Sequence, residues 1–346
     1  MSQSFFDDYG YKNNWSQETI RTYTQIIKPR REANLKQWQY YIFNSDLKND
    51  KINLRDPAFK QLVRKGIPDC YRPMIWCYVT GVDKMLESRK GLYEQLLSMT
   101  DTIPQTIKRV ILADVPRTFP SSHTFSSDQL TNVLMAFAIA HPEIGYCQSL
   151  NFISALMIPI IGEEATCWML CVLVEKYLPT DYYSNQMKSF QVDLRMMEFF
   201  IQERIPEVSR LAEQFGHNWI LTVSGWLLTF YSNCFPVPTV LRIWDSFLLE
   251  GMKIIYRVGA AFLRMNQELI LTADSRKKFV QTLNQLHSEM IDVDKLMDIA
   301  FSIKAFSRKH ILEMREAARK QLSGCNEEDT KTWNNSLLSL FGHMNL

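Results

Sequence analysis

Residues 126–145, SSDQLTNVLMAFAIAHPEIG, decide the fold class. Leu130, Val133, Leu134, Phe137 and Ala138 recur at the i, i+3, i+4, i+7, i+8 spacing of one helix face. Met135, Ala136 and Ile139 fill the remaining face, so this helix is expected to be buried on nearly every side. A helix of that kind needs other helices around it, and the chain supplies them. RDPAFKQLVRKG (55–66) has Asp56 as N-cap, Pro57 at the first helical position and Gly66 past the end. PDCYRPMIWCYVTG (68–81) repeats the scheme, with Asp69 as cap, Pro73 in the first turn and Gly81 as stop. VPTVLRIWDSFLLEG (237–251) places Val240, Leu241, Trp244, Phe247 and Leu248 on one stripe that Gly251 ends. FSRKHILEMREAARKQLSG (306–324) has Ser307 as cap and Gly324 as stop. No convincing period-two run accompanies these segments, and 12 glycines and 13 prolines are too few for an all-β fold with many tight turns. The expected architecture is all-α.

Composition removes several classes of function. Hydrophobic residues make up 46% of the 346 and aromatics 12%, enough for a large core and against disorder over most of the chain. A net charge of +2 lacks the basic footprint of a duplex nucleic-acid binder. The local KPRRE (28–32) reads as a solvated helix end rather than a phosphate or lipid contact. Seven cysteines include no C-x-x-C pair; Cys167 and Cys171, at i, i+4 in an apolar run, read as buried thiols in a reducing compartment. The start MSQSFFDDYGYKNNW has no basic stretch followed by an apolar core, so no secretory leader is expected. Apolar runs such as NFISALMIPIIG (151–162) are too short to span a bilayer, and a soluble, cytoplasmic chain is expected.

Along the chain, residues 1–61 read as an extension of polar and aromatic helices broken at Pro29. Residues 62 to about 275 form the dense apolar body, and with the helices that follow it the main domain is expected to span 62–306. Residues 307–346 carry a helix, a polar linker CNEEDTKTWNN (325–335) and an apolar end, SLLSLFGHMNL (336–346), which either packs back onto the body or meets a partner or membrane.

The chain shows no sign of a self-contained catalyst. It has no G-x-x-x-x-G-K-[ST] loop to cradle a nucleotide, no G-x-S-x-G elbow, no H-E-x-x-H helix and no G-x-G-x-x-G fingerprint. The acid pair Glu163 and Glu164 reads as a helix start. What stands out is polar residues inside apolar surroundings. In RKGIPDCYRPMIW (64–76), Arg72 and Trp76 share a helix face; an amphipathic core helix explains them, and so does a guanidinium reaching sideways to a carboxylate or carbonyl. In ILADVPRTFP (111–120), Ile111, Asp114 and Arg117 recur every third residue. Pro116 disfavours helical geometry at Val115, and Pro120 stiffens the far side. Arg117 is then either a surface cation near a helix C-terminus or a charge held out to meet an anion. In HPEIGYCQSLNFISALMIP (141–159), Gln148, Ser149 and Asn151 interrupt two apolar helices, where they either satisfy buried backbone groups or point at a ligand.

Taken in order, R-x-x-x-W (Arg72, Trp76), I-x-x-D-x-x-R (Ile111, Asp114, Arg117) and Y-x-Q (Tyr146, Gln148) resemble the TBC domain of Rab GTPase-activating proteins. EEATCWMLCVLVEKYLPTDYYS (163–184) and WLLTFYSNCFPVPTVLRIWDSFLLEG (226–251) continue the resemblance, which runs from about Lys65 to Gly251 with trailing helices to about Phe306. It implies a V-shaped pair of all-helical subdomains with an N-terminal helical extension, binding a small Rab-type GTPase in its GTP form. Arg117 would be an arginine finger and Gln148 a glutamine finger. Tyr146 would fix the loop of Gln148; Asp114, Arg72 and Trp76 would hold the finger loop; Asn151 would support them. The chain needs no cofactor of its own, because GTP and Mg²⁺ arrive on the GTPase. Vesicle-trafficking membranes, reached peripherally through the Rab, are the further expectation, with no nucleic acid involved. One departure weakens the match. The family commonly has Gly-Met after the glutamine, and here Ser149-Leu150 stands there. Leucine conserves the volume of methionine, whereas a Cβ on Ser149 is unfavourable if the backbone needs positive φ. A catalytically weak scaffold that binds the GTP form is the competing expectation.

Overall fold

The computed structural model describes residues 5–44, 52–184, 186–304 and 307–323. These are helical almost throughout; a two-residue antiparallel ladder, Phe5–Phe6 against Lys12–Asn13, is the extended pairing among them. The helix Ser127–Ala140 lies at the centre of the N-terminal half, packed on the helices Leu150–Ile161, Glu163–Val172 and Leu92–Ser98. Leu130, Val133, Leu134, Met135, Ala136, Phe137 and Ala138 are all buried, as the two-faced apolar pattern requires. Ser126 starts it with a capping box: its hydroxyl accepts from the Gln129 N–H, and the Gln129 side chain accepts from the Ser126 N–H.

The N-terminal residues are packed against this body. Trp38 is fully buried, edge-on to Phe59, with its indole N–H donating to the Gly66 carbonyl at 2.8 Å. The expected break at Pro29 does not occur. The helix Gln17–Thr22 runs through a π turn, Tyr23–Ile27, into the helix Lys28–Asn44. Proline has no N–H to give and its ring crowds the carbonyl four residues back; the wider turn just before it, where the Lys28 N–H reaches back to the Tyr23 carbonyl, absorbs both effects.

Asp56, Pro57 and Gly66 act as expected at the ends of the helix Pro57–Lys65. Asp69 does not cap the next helix, which begins at Arg72 with no side-chain cap. Its carboxylate is taken by guanidinium groups, Arg72 Nη1 and Arg31 Nη2 (2.6 Å), and by the Tyr9 hydroxyl (2.6 Å). Charge-assisted bonds of this kind outcompete a neutral backbone N–H. At the other end, the Ser307 hydroxyl accepts from the His310 N–H at 3.2 Å, and the helix Arg308–Ser323 lies on Lys188–Arg204 with Ala318 buried. Gly324 and the apolar end 336–346 lie outside the described residues.

The helix Val237–Glu250 joins the two halves. Its expected stripe of Val240, Leu241, Trp244, Phe247 and Leu248 is buried, and so are two charges between them, Arg242 and Asp245. The Asp245 carboxylate accepts four donors: Arg72 Nε (2.9 Å), Arg72 Nη2 (3.1 Å), the Trp76 indole N–H (2.9 Å) and the Ile67 backbone N–H (2.8 Å). Burial alone would lower the Arg72 guanidinium, but Asp245, with Tyr9 and Asp69 beside it, holds it well above its ordinary value. One turn on, Glu250 accepts from Arg64 Nε (2.5 Å) and Nη2 (2.9 Å) and meets Lys253 (2.8 Å) and Lys60 (3.1 Å). Burial would raise its carboxyl, yet the bonds from Arg64 and Lys253 outweigh that and hold it at about 2.

Asp245→Ala leaves Arg72 buried without its main counter-charge, so it should lower unfolding stability by about 3–5 kcal/mol in denaturant titrations. Glu250 supplies stability that is present above the ordinary carboxylate value of 4.5 and is lost as pH falls from there through about 2. Glu250→Gln should therefore be less stable than wild type by about 2 kcal/mol near neutral pH, and the gap should close on acidification; a gap that stays constant down to acid would refute the assignment.

Candidate functional site

The helix Gln105–Asp114 buries Ile111 and Asp114 and turns Val110, Leu112 and Ala113 outward. It tightens into a 3₁₀ turn at Val115–Arg117, which the Thr118 N–H closes on the Val115 carbonyl at 3.1 Å. Val115 keeps helical dihedrals, φ −52° and ψ −53°, despite the following proline; the disturbance appears as the change from α to 3₁₀ winding instead. Arg117 emerges exposed from this turn, between buried Val115 and buried Thr118. Phe119 then takes φ +47°, which turns the chain away sharply.

Gln148 lies half-buried at the end of the connection from His141, immediately before the helix Leu150–Ile161. Two links join its segment to that of Arg117. The Tyr146 hydroxyl donates to Asp114 Oδ2 at 2.8 Å, and the Asn151 amide donates to the Thr118 hydroxyl at 2.8 Å. Each link is itself held. Thr118 donates to the Asp114 carbonyl at 2.8 Å, and Asn151 Oδ1 accepts from the Ser149 N–H at 3.1 Å. Asp114, Thr118 and Asn151 are each at most 5% exposed, so these bonds are made away from competing water. Burial raises the Asp114 carboxyl; the Tyr146 bond and the positive charge of Arg117 pull it back. The Tyr146 phenol is pushed well above its ordinary value, first by burial and then by Asp114, so it stays a donor.

The structure therefore gathers Asp114, Tyr146 and Asn151 between the segments of Arg117 and Gln148. Arg72 and Trp76 belong elsewhere. The expectation that they hold the finger loop is corrected: both bind Asp245, and the remaining Arg72 donor goes to Asp69 and Tyr9 (3.2 Å). A single carboxylate with two oxygens can accept from guanidinium, indole and amide together, and four of the five Arg72 N–H groups and the Trp76 indole N–H are engaged away from the loop. Sequence reasoning missed Thr118, whose hydroxyl follows the arginine with no spacing signal to mark it. It also missed Asp245 as the partner of Arg72, although Asp245 lies within a stretch that carries the resemblance.

Ser149 answers the question its Cβ raised. Its φ is +153° with ψ −32°, a conformation that glycine adopts freely and side chains rarely do. It is fully buried, and its hydroxyl lies 4.0 Å from the Cys147 sulfur. The backbone beside Gln148 is therefore held under strain.

A model of the Rab-GTPase-TBC domain matches residues 69–271. Human growth hormone-regulated TBC protein 1 is 34% identical over 279 residues, covering 78% of this chain and 82% of that protein. Mouse TBC1 domain family member 2A is 32% identical over 271 residues, but the chain spans only 29% of its length. Among solved structures, the Chlamydomonas flagellar RabGAP TBC domain superposes with a TM-score of 0.77 at 25% identity, covering 86% of this chain and 100% of that one. The Ypt/Rab-GAP domain of Gyp1p shares the fold, with a TM-score of 0.63 at 20% identity. A family model covering more than half the chain and a relative of similar extent matched over most of both lengths agree: this chain belongs to the Rab-GTPase-TBC domain family.

Proposed function

We propose that this protein accelerates GTP hydrolysis by a Rab-type small GTPase bound in its GTP form, with Arg117 and Gln148 inserted into the GTPase site. The reading rests on one observation above all. An exposed arginine and a half-buried glutamine sit on separate segments that a half-buried Asp114–Tyr146 bond and a buried Thr118–Asn151 bond tie together.

The chemistry needs both groups. Phosphoryl transfer to water gathers charge on the transferred phosphate and requires an oriented attacking water. A guanidinium brings a charge that does not titrate and a planar set of donors suited to phosphate oxygens. A carboxamide can accept from the water while donating to a phosphate oxygen. GTP and Mg²⁺ come with the GTPase, so this chain contributes side chains rather than a cofactor. An arginine supplied in trans is worth about 10³–10⁵ in rate, or roughly 4–7 kcal/mol at the transition state. A surface cation at a helix end contributes only about 0.3–1 kcal/mol. No described helix is long and apolar enough to cross a membrane, and the GTPase is the proposed means of peripheral recruitment to endomembranes.

The strained backbone at Ser149 favours a second reading, in which the chain binds the GTP form but accelerates hydrolysis weakly. Single-turnover hydrolysis over a panel of GTP-loaded Rabs separates the two. Wild type should accelerate at least one Rab, and Arg117→Lys and Gln148→Ala should each lose about 100-fold or more while still binding. Acceleration that survives both substitutions overturns the finger assignment, and GTP-dependent binding without acceleration supports the scaffold reading. Ser149→Gly relieves the positive φ, and should raise stability by about 1 kcal/mol and quicken hydrolysis. Unchanged melting and rate in that variant would show that Ser149 carries no strain that matters.

A further inference from the structure

The N-terminal strap, residues 5–15, lies outside the span matched by the family model, yet it touches Phe119, two residues after Arg117, and the helix that follows Gln148. Its fold is set by Asp7. Asp7 Oδ1 accepts the backbone N–H groups of Tyr9 and Tyr11, each at 3.0 Å, and Oδ2 accepts from the Asn13 amide at 3.0 Å. The ladder of Phe5–Phe6 against Lys12–Asn13 closes the hairpin, and Gly10, at φ +75°, allows it to approach Thr124: a Cβ there would come within 2.8 Å of the Thr124 methyl. The Trp15 indole donates to the Ser288 carbonyl at 3.0 Å and anchors the far end to the body.

Tyr11 is the contact point and is 4% exposed. Its ring packs edge-on to Phe119, with centroids 5.1 Å apart, and Phe152 packs edge-on to the same ring at 5.4 Å. Phe119 is two residues beyond Arg117 and holds the φ of +47° that turns the loop. A non-glycine residue keeps such a φ only where its surroundings enforce it. The Tyr11 hydroxyl donates to the Ala155 carbonyl at 3.1 Å, in the helix Leu150–Ile161 that follows Gln148. That carbonyl would ordinarily accept from the N–H four residues on, but residue 159 is a proline and has none. Tyr11 satisfies the acceptor that Pro159 leaves open, and the requirement fixes the hydroxyl in place.

We infer that the strap is part of the GTPase-activating machinery and that Tyr11 is a positioning residue, its ring holding the turn after Arg117 against the helix that follows Gln148. This rests on the reading proposed above, and it adds a requirement for a segment outside the family domain. The Tyr11 phenol, raised to about 12 by burial, stays a neutral donor throughout the physiological range.

The full chain is tested as wild type, Tyr11→Ala, Tyr11→Phe and Trp38→Phe, the last a buried N-terminal control remote from the loop. Hydrolysis is followed against concentration of GTP-loaded Rab, and amide exchange is measured in the free protein over residues 115–122. Tyr11→Ala should lower kcat about tenfold with KM changed by less than about twofold. It should also speed exchange of the Thr118 and Ser122 amides by about tenfold, whereas Tyr11→Phe, which keeps the ring on Phe119, should restore most of both. Equal losses in Trp38→Phe at matched thermal stability would make the effect one of general folding and overturn the inference. Unchanged exchange in Tyr11→Ala overturns it whether or not any Rab responds. A wild type that accelerates no Rab, with exchange still quickened in Tyr11→Ala, removes the proposed function but leaves the strap as the support of the loop.

Discussion

The buried carboxylate of Asp245 is the constraint on which the arrangement of the two halves depends. Its four donors come from the connection at Ile67 and the helix Arg72–Thr80, while Asp245 itself sits near the middle of Val237–Glu250. Removing a charge from water is expensive, and only a nearly complete set of partners offsets it. Exchange of both Arg72 and Asp245 for hydrocarbons need not weaken the fold, but the ion pair favours one registry of these helices. Glu250, bound by Arg64 one turn later, fixes the same helix against Pro57–Lys65.

From that frame the candidate site inherits rigidity rather than chemistry. The elements that carry Arg117 and Gln148 are a 3₁₀ turn and a helix entry, where regular backbone bonding ends. Such places would be mobile if left to themselves. They are stitched by side chains, Tyr146 to Asp114 and Asn151 to Thr118, with both acceptors buried. The exposed guanidinium is thus mounted on a fixed base. That division suits the proposed action on a partner's phosphate, since orientation prepared beforehand need not be acquired at the transition state.

Strain marks the same region. Ser149 and Phe119, at φ +153° and +47°, flank Gln148 and Arg117, and Phe119 is held by contacts from outside its own segment. For Phe119 those contacts include the N-terminal strap, and the open carbonyl at Ala155 gives the strap a second reason to stay. A proline within a helix, a positive φ after an arginine and a tyrosine far upstream are thereby joined in one local solution.

The helices were legible in the sequence because burial imposes a period on side chains and because caps and stops are chosen locally. The run 126–145 and the stops at Gly66, Gly81 and Gly251 show this. The residues Arg117, Gln148, Asp114, Tyr146 and Asn151 were legible only as an ordered set of motifs. Other features were set by competition across space. Asp69 abandoned its cap for two arginines, Pro29 was absorbed by a π turn, and Arg72 and Trp76 turned to Asp245 rather than to the finger loop. Thr118 and Tyr11 carried no signal at all. The sequence by itself determined that the chain is all-α, where most helices end, and which polar residues interrupt the core. Tertiary structure alone decided their partners, because a hydrogen bond or ion pair goes to the donor that packing brings nearest, and that donor can be 173 positions away in the chain.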